Sequence, residues 1–210
     1  MIAGDGGKAD MDQIFTIGHS NHSIERFVNL LLEHRISLLA DIRSAPFSAY
    51  LPQFNRDILQ QRLRAVHVEY VFLGGELGAR PTEESCYVHG QARYDRIKDL
   101  PTFREGLARV LDDSRRYRLA LMCAEADPVT CHRSILVARE LKNLRPDIAV
   151  SHIHSDGSTE SQEQLEERLV HVVKLQRELF GELSTWGGLV ERAYQIQAER
   201  IAYRKVPVEA

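Results

Sequence analysis

Apolar positions along this chain come in short blocks whose period switches between two and about 3.6, so strands and helices alternate. Residues 14–17 are an apolar strand stopped by Gly18, His19 and Ser20. Ser23 caps a helix with Phe27, Leu30 and Leu31 on one face, ending near His34 and Arg35. Residues 36–42 form a second strand that delivers Asp41 and Arg43 to its end, and 44–52, with Pro46 and Pro52, is a loop. Residues 56–64 are helical, and 67–73 alternate as a third strand before the glycine cluster 74–78. A long polar loop over 79–98, with a helical turn near Tyr94, leads to a helix capped by Thr102. Residues 119–122 are an apolar run bounded by charge, as in the middle of a parallel sheet. Asp127 and Pro128 break it, and Thr130 caps a helix over 131–144. A last strand covers 148–153, followed by a Ser/Gly/Asp-rich linker at 155–161. Helices are expected over 162–180 and 189–203, the first with a stripe of Leu165, Leu169, Val172, Leu175 and Leu179.

The β-α alternation, with about five strands, implies an α/β fold: a mostly parallel sheet with helices on both faces and a C-terminal helical extension. Residues 1–12 read as a frayed terminus, 13–154 as the α/β domain and 160–203 as the extension. The stripe packs on the domain or makes a homodimer through the C-terminal helices. Composition narrows the function only a little. The net charge of −3 gives no global pull toward nucleic acid, and no apolar run reaches the length of a membrane span. Three cysteines, Cys86, Cys123 and Cys131, are too few for a disulfide scaffold, so a reducing cytoplasm is the expected compartment.

If the sheet is parallel, four polar clusters meet on the rim where open α/β sheets bind ligands. They are Gly18, His19 and Ser20; Asp41, Arg43 and Ser44; Gly75, Glu76 and Gly78; and Cys123, Glu125, Asp127, Cys131, His132 and Arg133. Arg43 and Arg133, with Gly18, Ser20, Ser134 and the free N–H groups of the 131–144 helix start, would make an anion cradle. The competing structural reading pairs Arg133 with Asp41 or Glu125. His19 and His132 suit a general acid and base, or a hydrogen bond to a loop carbonyl. Asp41, Glu76 and Glu125 are the candidate bases. Cys123 reads as a core residue, whereas Cys131 beside Arg133 is a candidate thiolate. The spacing Cys123-x7-Cys131-His132 is no Cys-x2-Cys pattern, and a metal site there would need a fourth ligand from His19 or Asp41. No GxGxxG or P-loop is present, so no organic cofactor is expected and a metal ion stays an alternative. Phe47, Tyr50 and Phe54, between Arg43 and Arg56, either stack on a base or wedge the loop onto the core. His152 and His154 read as surface residues.

Several of these strings occur together in one known family. Thr16-Ile-Gly-His-Ser20, Leu39-Ala-Asp-Ile-Arg-Ser44, Gln53-Phe54-Asn55, Leu73-Gly-Gly-Glu-Leu-Gly78 and Met122-Cys-Ala-Glu-Ala-Asp-Pro-Val-Thr-Cys-His-Arg-Ser134 resemble domain of unknown function 488 (DUF488) over about residues 13–154. The resemblance implies a Rossmann-like domain without an assigned reaction. It maps the family's signature onto Gly18, His19, Ser20, Asp41, Arg43, Glu76, Gly78, Cys123, Glu125, Asp127, Cys131, His132 and Arg133. Ala126 stands where a basic residue is frequent and Ala79 where glycine is common. The leading expectation is an enzyme that holds a phosphorylated small molecule or nucleotide at the rim, with acid/base chemistry by carboxylates and His. Weakly favoured reactions are N-glycosidic or phosphoryl chemistry. The alternatives are a nucleic-acid or nucleotide-binding module using Arg43, Arg56, Arg62 and Arg64, and a thiol- or metal-dependent protein centred on Cys123, Cys131 and His132.

Overall fold

In a computed structural model, residues 13–205 are described, and the N-terminal stretch expected to fray lies outside them. The chain begins β1 (Gln13–Gly18), α1 (Ile24–Glu33), β2 (Leu38–Asp41), α2 (Arg56–Arg64) and β3 (Glu69–Phe72). A single turn α3 (Gly74–Leu77) forms at the glycine cluster, and a tiny hairpin of β4 (Tyr87–Val88) and β5 (Gln91–Ala92) with α4 (Tyr94–Ile97) occupies the long polar loop. Then come α5 (Pro101–Ser114), β6 (Leu119–Cys123), a π-helix (Arg133–Ala138) running into α6 (Arg139–Leu144), and β7 (Ala149–Ile153). Finally β8 (Thr159–Ser161), α7 (Gln162–Val172) and α8 (Trp186–Ile201) close the fold.

The main sheet has the order β3-β2-β6-β1-β7-β8, with every pair parallel except β7 and β8. Side chains alternate across it, as the period of a strand requires. Phe15, Ile17, Leu39, Ala120 and Met122 face α1 and α2, where Phe27, Leu30, Leu31, Leu59 and Leu63 are buried. Ile14, Leu38, Ala40, Leu119 and Leu121 face the opposite layer, built by α5, the π-helix, α6, α7 and α8. The result is a Rossmann-like three-layer domain. Placing β6 between β2 and β1 puts Cys123 at the centre of the rim, opposite Gly18 in register, with Asp41 opposite Met122.

Several expected details differ. The linker at 155–161 contains β8, an antiparallel edge strand that returns beside β7 through the turn at Gly157, where φ is +96°. The helix expected from Thr102 begins at Pro101, whose fixed φ and missing N–H suit a first helical position. Thr130 is not the cap of the next helix. Its hydroxyl donates to Asp127 O in a short 3-10 turn, and the following turn is a fully buried π-helix. The helix expected over 162–180 stops at Val172, with Lys174 in a left-handed conformation (φ +61°). Within the stripe Leu165 and Leu169 are buried in the chain's own core and Leu175 packs partly against it, whereas Val172 is 42% exposed and Leu179, outside the helix, is 89% exposed. His152 is fully buried rather than on the surface. No helix among the described residues is long and apolar enough to cross a membrane.

Candidate active site

Cys123 ends β6, and the loop that follows turns back so that Cys131 and His132 precede the π-helix. This brings Cys123 Sγ, Glu125 Oε2, Cys131 Sγ and His132 Nδ1 within 4.8 Å of one another. Both thiols donate to the same carboxylate oxygen, Glu125 Oε2, at 2.9 Å each. His132 Nδ1 lies 3.4 Å from Cys123 Sγ and 3.9 Å from Cys131 Sγ. Its other ring nitrogen donates to Ile42 O at 3.1 Å, which fixes the ring and turns the free lone pair of Nδ1 toward the sulfurs. The backbone N–H of Arg133 donates to Cys131 Sγ at 3.4 Å. Three of the four residues are buried and Glu125 is the exposed one.

Charge is distributed unevenly in this group. Burial opposes ionisation of Cys131, but its hydrogen bond with Cys123 and the charges of Arg133 and His132 hold its thiol down to about 6. Burial and the neighbouring Cys131 push Cys123 the other way, well above an ordinary thiol. Burial works against the Glu125 carboxylate as well, yet the two thiol hydrogen bonds hold it down to about 2. His132 is raised despite its burial, through its hydrogen bond with Cys131.

The loop carrying Glu125 is clamped from behind by Arg133, whose guanidinium donates to Glu125 O at 2.5 Å, Ala126 O at 2.9 Å and Thr16 Oγ1 at 3.3 Å. Arg133 has no exposed surface. It therefore does not face a ligand, and the anion cradle expected around it is not built. It is not paired with a carboxylate either, since its acceptors are two carbonyls and a hydroxyl. Ser134 is also buried and donates to Pro128 O at 2.5 Å, and the Ser20 hydroxyl donates to Asn21 Oδ1 at 3.2 Å. Gly18 does not meet a ligand but Glu125 itself. A Cβ there would stand 1.8 Å from Glu125 O, so the close approach of loop to strand requires glycine. Behind Arg133 a buried chain continues from Thr16 to His152 (2.8 Å), Gln162 (2.8 Å), Tyr194 (2.5 Å) and Glu166 (2.9 Å).

The remaining candidates divide. Asp41 is fully buried and takes Arg43 Nε at 2.9 Å, Arg43 Nη2 at 2.6 Å and the Tyr70 hydroxyl at 2.8 Å. Arg43 Nη2 also donates to Phe54 O at 2.9 Å. This pair shapes the rim, and its carboxylate is committed. His19 donates from Nδ1 to Ser20 O at 2.8 Å and stacks on Phe54 at 4.4 Å, and burial lowers its pKa. Neither His19 nor Asp41 supplies a fourth donor to the cysteine group; Glu125 does. Glu76 sits on α3 with its Cβ against Gly106 of α5, and belongs neither to the four-residue cluster nor to the cleft lining. Phe54 is a core wedge, whereas Phe47 and Tyr50 are 73% and 95% exposed. Arg62 and Arg64 lie at the far end of α2, beside the start of β3 and away from the rim.

Above the cluster opens a cleft of about 430 Å³, with Cys123, Glu125 and His132 in its floor. Its walls include Arg43, Phe47, Arg80 and Tyr203, with the Arg80 guanidinium 4.5 Å from the centre of the Tyr203 ring. Tyr203 comes from beyond α8 and is carried there because the Ala92 N–H donates to Tyr203 O at 2.9 Å. Sequence reasoning missed Arg80, Tyr203 and the buried Thr16–Glu166 chain. Nothing local marks them, because each depends on a distant segment returning to the domain.

An open, mostly parallel sheet with a polar cluster and a cleft at its C-terminal rim places the chain among Rossmann-like α/β domains. The chain belongs to the family described as domain of unknown function DUF488, whose model matches residues 23–139. No curated protein and no solved structure matches it.

Proposed function

We propose that the protein is an enzyme that takes a small, flat, anionic compound of the phosphorylated or nucleotide-like class into the rim cleft. The reacting atom would lie against Glu125, His132 and Cys123, with Cys131 directly behind them. The single observation behind this reading is that the cleft's floor is the cluster of ionisable side chains and its walls combine arginines with aromatic rings. Perturbed titratable groups gathered at the bottom of a concave site are the usual mark of a reaction centre. Arg80 and the edge of Arg43 replace Arg133 as the groups that would meet an anion, and Phe47 and Tyr203 would flank a planar ring. Free thiols at the site suit a reducing compartment, which keeps the cytoplasm as the proposed location.

A thermal-shift screen of nucleotides, nucleosides and sugar phosphates tests this, followed by product analysis on every compound that binds. One class should raise the melting temperature of the wild type. Arg80→Ala should weaken that binding about tenfold, the loss of one charge-assisted contact. Ala45→Trp, which fills the cleft from its exposed wall, should abolish the response. No response to any compound, or a response that Ala45→Trp leaves intact, overturns the proposal.

A further inference from the structure

We propose that Cys123, Cys131 and His132, with Glu125 as fourth donor, form a zinc-class metal site in the floor of the cleft. The geometry of the four donor atoms carries this. A zinc ion about 2.0–2.3 Å from two sulfurs, one nitrogen and one oxygen holds those donors roughly 3.3–3.8 Å apart. Here the two sulfur–nitrogen separations are 3.4 and 3.9 Å, both sulfur–oxygen separations are 2.9 Å, and no pair exceeds 4.8 Å. Closing an ion into this group opens the sulfur–oxygen pairs by about 0.5 Å and draws the widest pair in by up to about 1 Å, within reach of side-chain rotation. Two thiolates, an imidazole and a carboxylate favour zinc over magnesium or calcium, which prefer all-oxygen shells.

The surroundings are those of a held metal ligand set. A metal-bound histidine usually donates its other ring N–H to a carbonyl or carboxylate, and His132 donates to Ile42 O. Cys131 Sγ receives the Arg133 backbone N–H. Arg133, through Glu125 O and Ala126 O, fixes the loop between the two cysteines and so helps hold the donors together. The Asp127 and Glu160 carboxylates near this rim are already satisfied by Arg168, as Asp41 is by Arg43, and offer nothing comparable. Glu125 is the exposed donor and faces the cleft, so its position is the one that water or a substrate would displace. The inference deepens the cleft reading by naming what the floor holds, and rests on that reading only for this catalytic consequence.

The test is made on the full chain kept under a thiol-free reductant, so that a Cys123–Cys131 disulfide cannot form. Zinc content is measured as purified, then zinc is stripped by chelator and Co²⁺ titrated back while the optical spectrum is recorded. The expected result is one metal per chain, with thiolate-to-cobalt absorption and the intense visible bands of four-coordinate cobalt. Cys123→Ser and Cys131→Ser should each weaken Co²⁺ binding at least about tenfold and lower the thiolate band, while Cys86→Ala changes neither. Glu125→Gln, at an exposed position, should still fold and bind Co²⁺ with both thiolates, but with visible bands that now shift on adding azide. Well-folded protein that takes up less than about a tenth of an equivalent of zinc and cobalt, or a thiolate band that depends on Cys86, overturns the site. Failure here with a cleft ligand still sensitive to Ala45→Trp would remove the metal alone. Stoichiometric metal with no cleft ligand would remove the substrate proposal alone.

Discussion

Arg133→Lys separates a structural clamp from an anion receptor. The guanidinium reaches three acceptors at once, Glu125 O, Ala126 O and Thr16 Oγ1, from a side chain with no exposed surface. A lysine ammonium on a similar stem keeps the charge but can satisfy only one of these points well. Two charge-assisted bonds are then lost, each worth about 1.5–3 kcal/mol, for a total near 3–6 kcal/mol. For a chain of this size, 1 kcal/mol moves the melting temperature by about 2–4 °C, so a fall of roughly 6–24 °C is expected. Urea and thermal unfolding of both proteins, with and without phosphate, give the answer. Phosphate should stabilise neither through this residue. A variant as stable as the wild type, which alone loses a phosphate-induced rise in melting temperature, would refute the clamp and restore the cradle.

Other outcomes follow from the same contacts. Asp41→Asn strands the buried Arg43 charge and should cost about 3–5 kcal/mol in urea unfolding. Gly18→Ala drives a methyl into Glu125 O and should cost about 1–3 kcal/mol while weakening Co²⁺ binding, because the donor loop must move. Burial, with help from Arg133, lowers His152 to about 3, so its unfolded imidazole takes a proton near 6.5 that the folded one refuses. Stability from this group is therefore complete above about pH 6.5 and is lost as pH falls toward 3, at up to about 1.4 kcal/mol per pH unit; His152→Gln should flatten that slope in pH-dependent unfolding. Leu169→Ala should cost about 2–5 kcal/mol, while Leu179→Ser should change stability by under about 0.5 kcal/mol, since one is buried and the other exposed.

Much of the fold was legible because its parts announce themselves locally. The apolar run of β6 between charged flanks and the Ser23 cap of α1, whose hydroxyl accepts the Arg26 N–H at 3.2 Å, are both short-range signals. The rim was legible too, since parallel strands place Gly18, Asp41 and Cys123 at one edge whatever their order. What the residues do there was not. A buried arginine and one lining a pocket have the same letter, and only tertiary contacts show that Arg133 holds carbonyls. Glu125 was named as a base, yet its convergence with both thiols depends on the 3-10 turn and π-helix that replaced the expected regular helix start. β8 was hidden because Thr159–Ser161 has no apolar alternation and gains strand character only by pairing with β7.

X-ray absorption at the zinc edge, on full-length protein purified under reducing conditions, reads the donor set around Cys123, Glu125, Cys131 and His132. One zinc per chain is expected, with two sulfur neighbours at about 2.3 Å and two nitrogen or oxygen neighbours at about 2.0–2.2 Å. Cys131→Ser should remove one sulfur from that shell. A shell of oxygen and nitrogen alone, or no bound zinc in folded protein, would contradict the metal site.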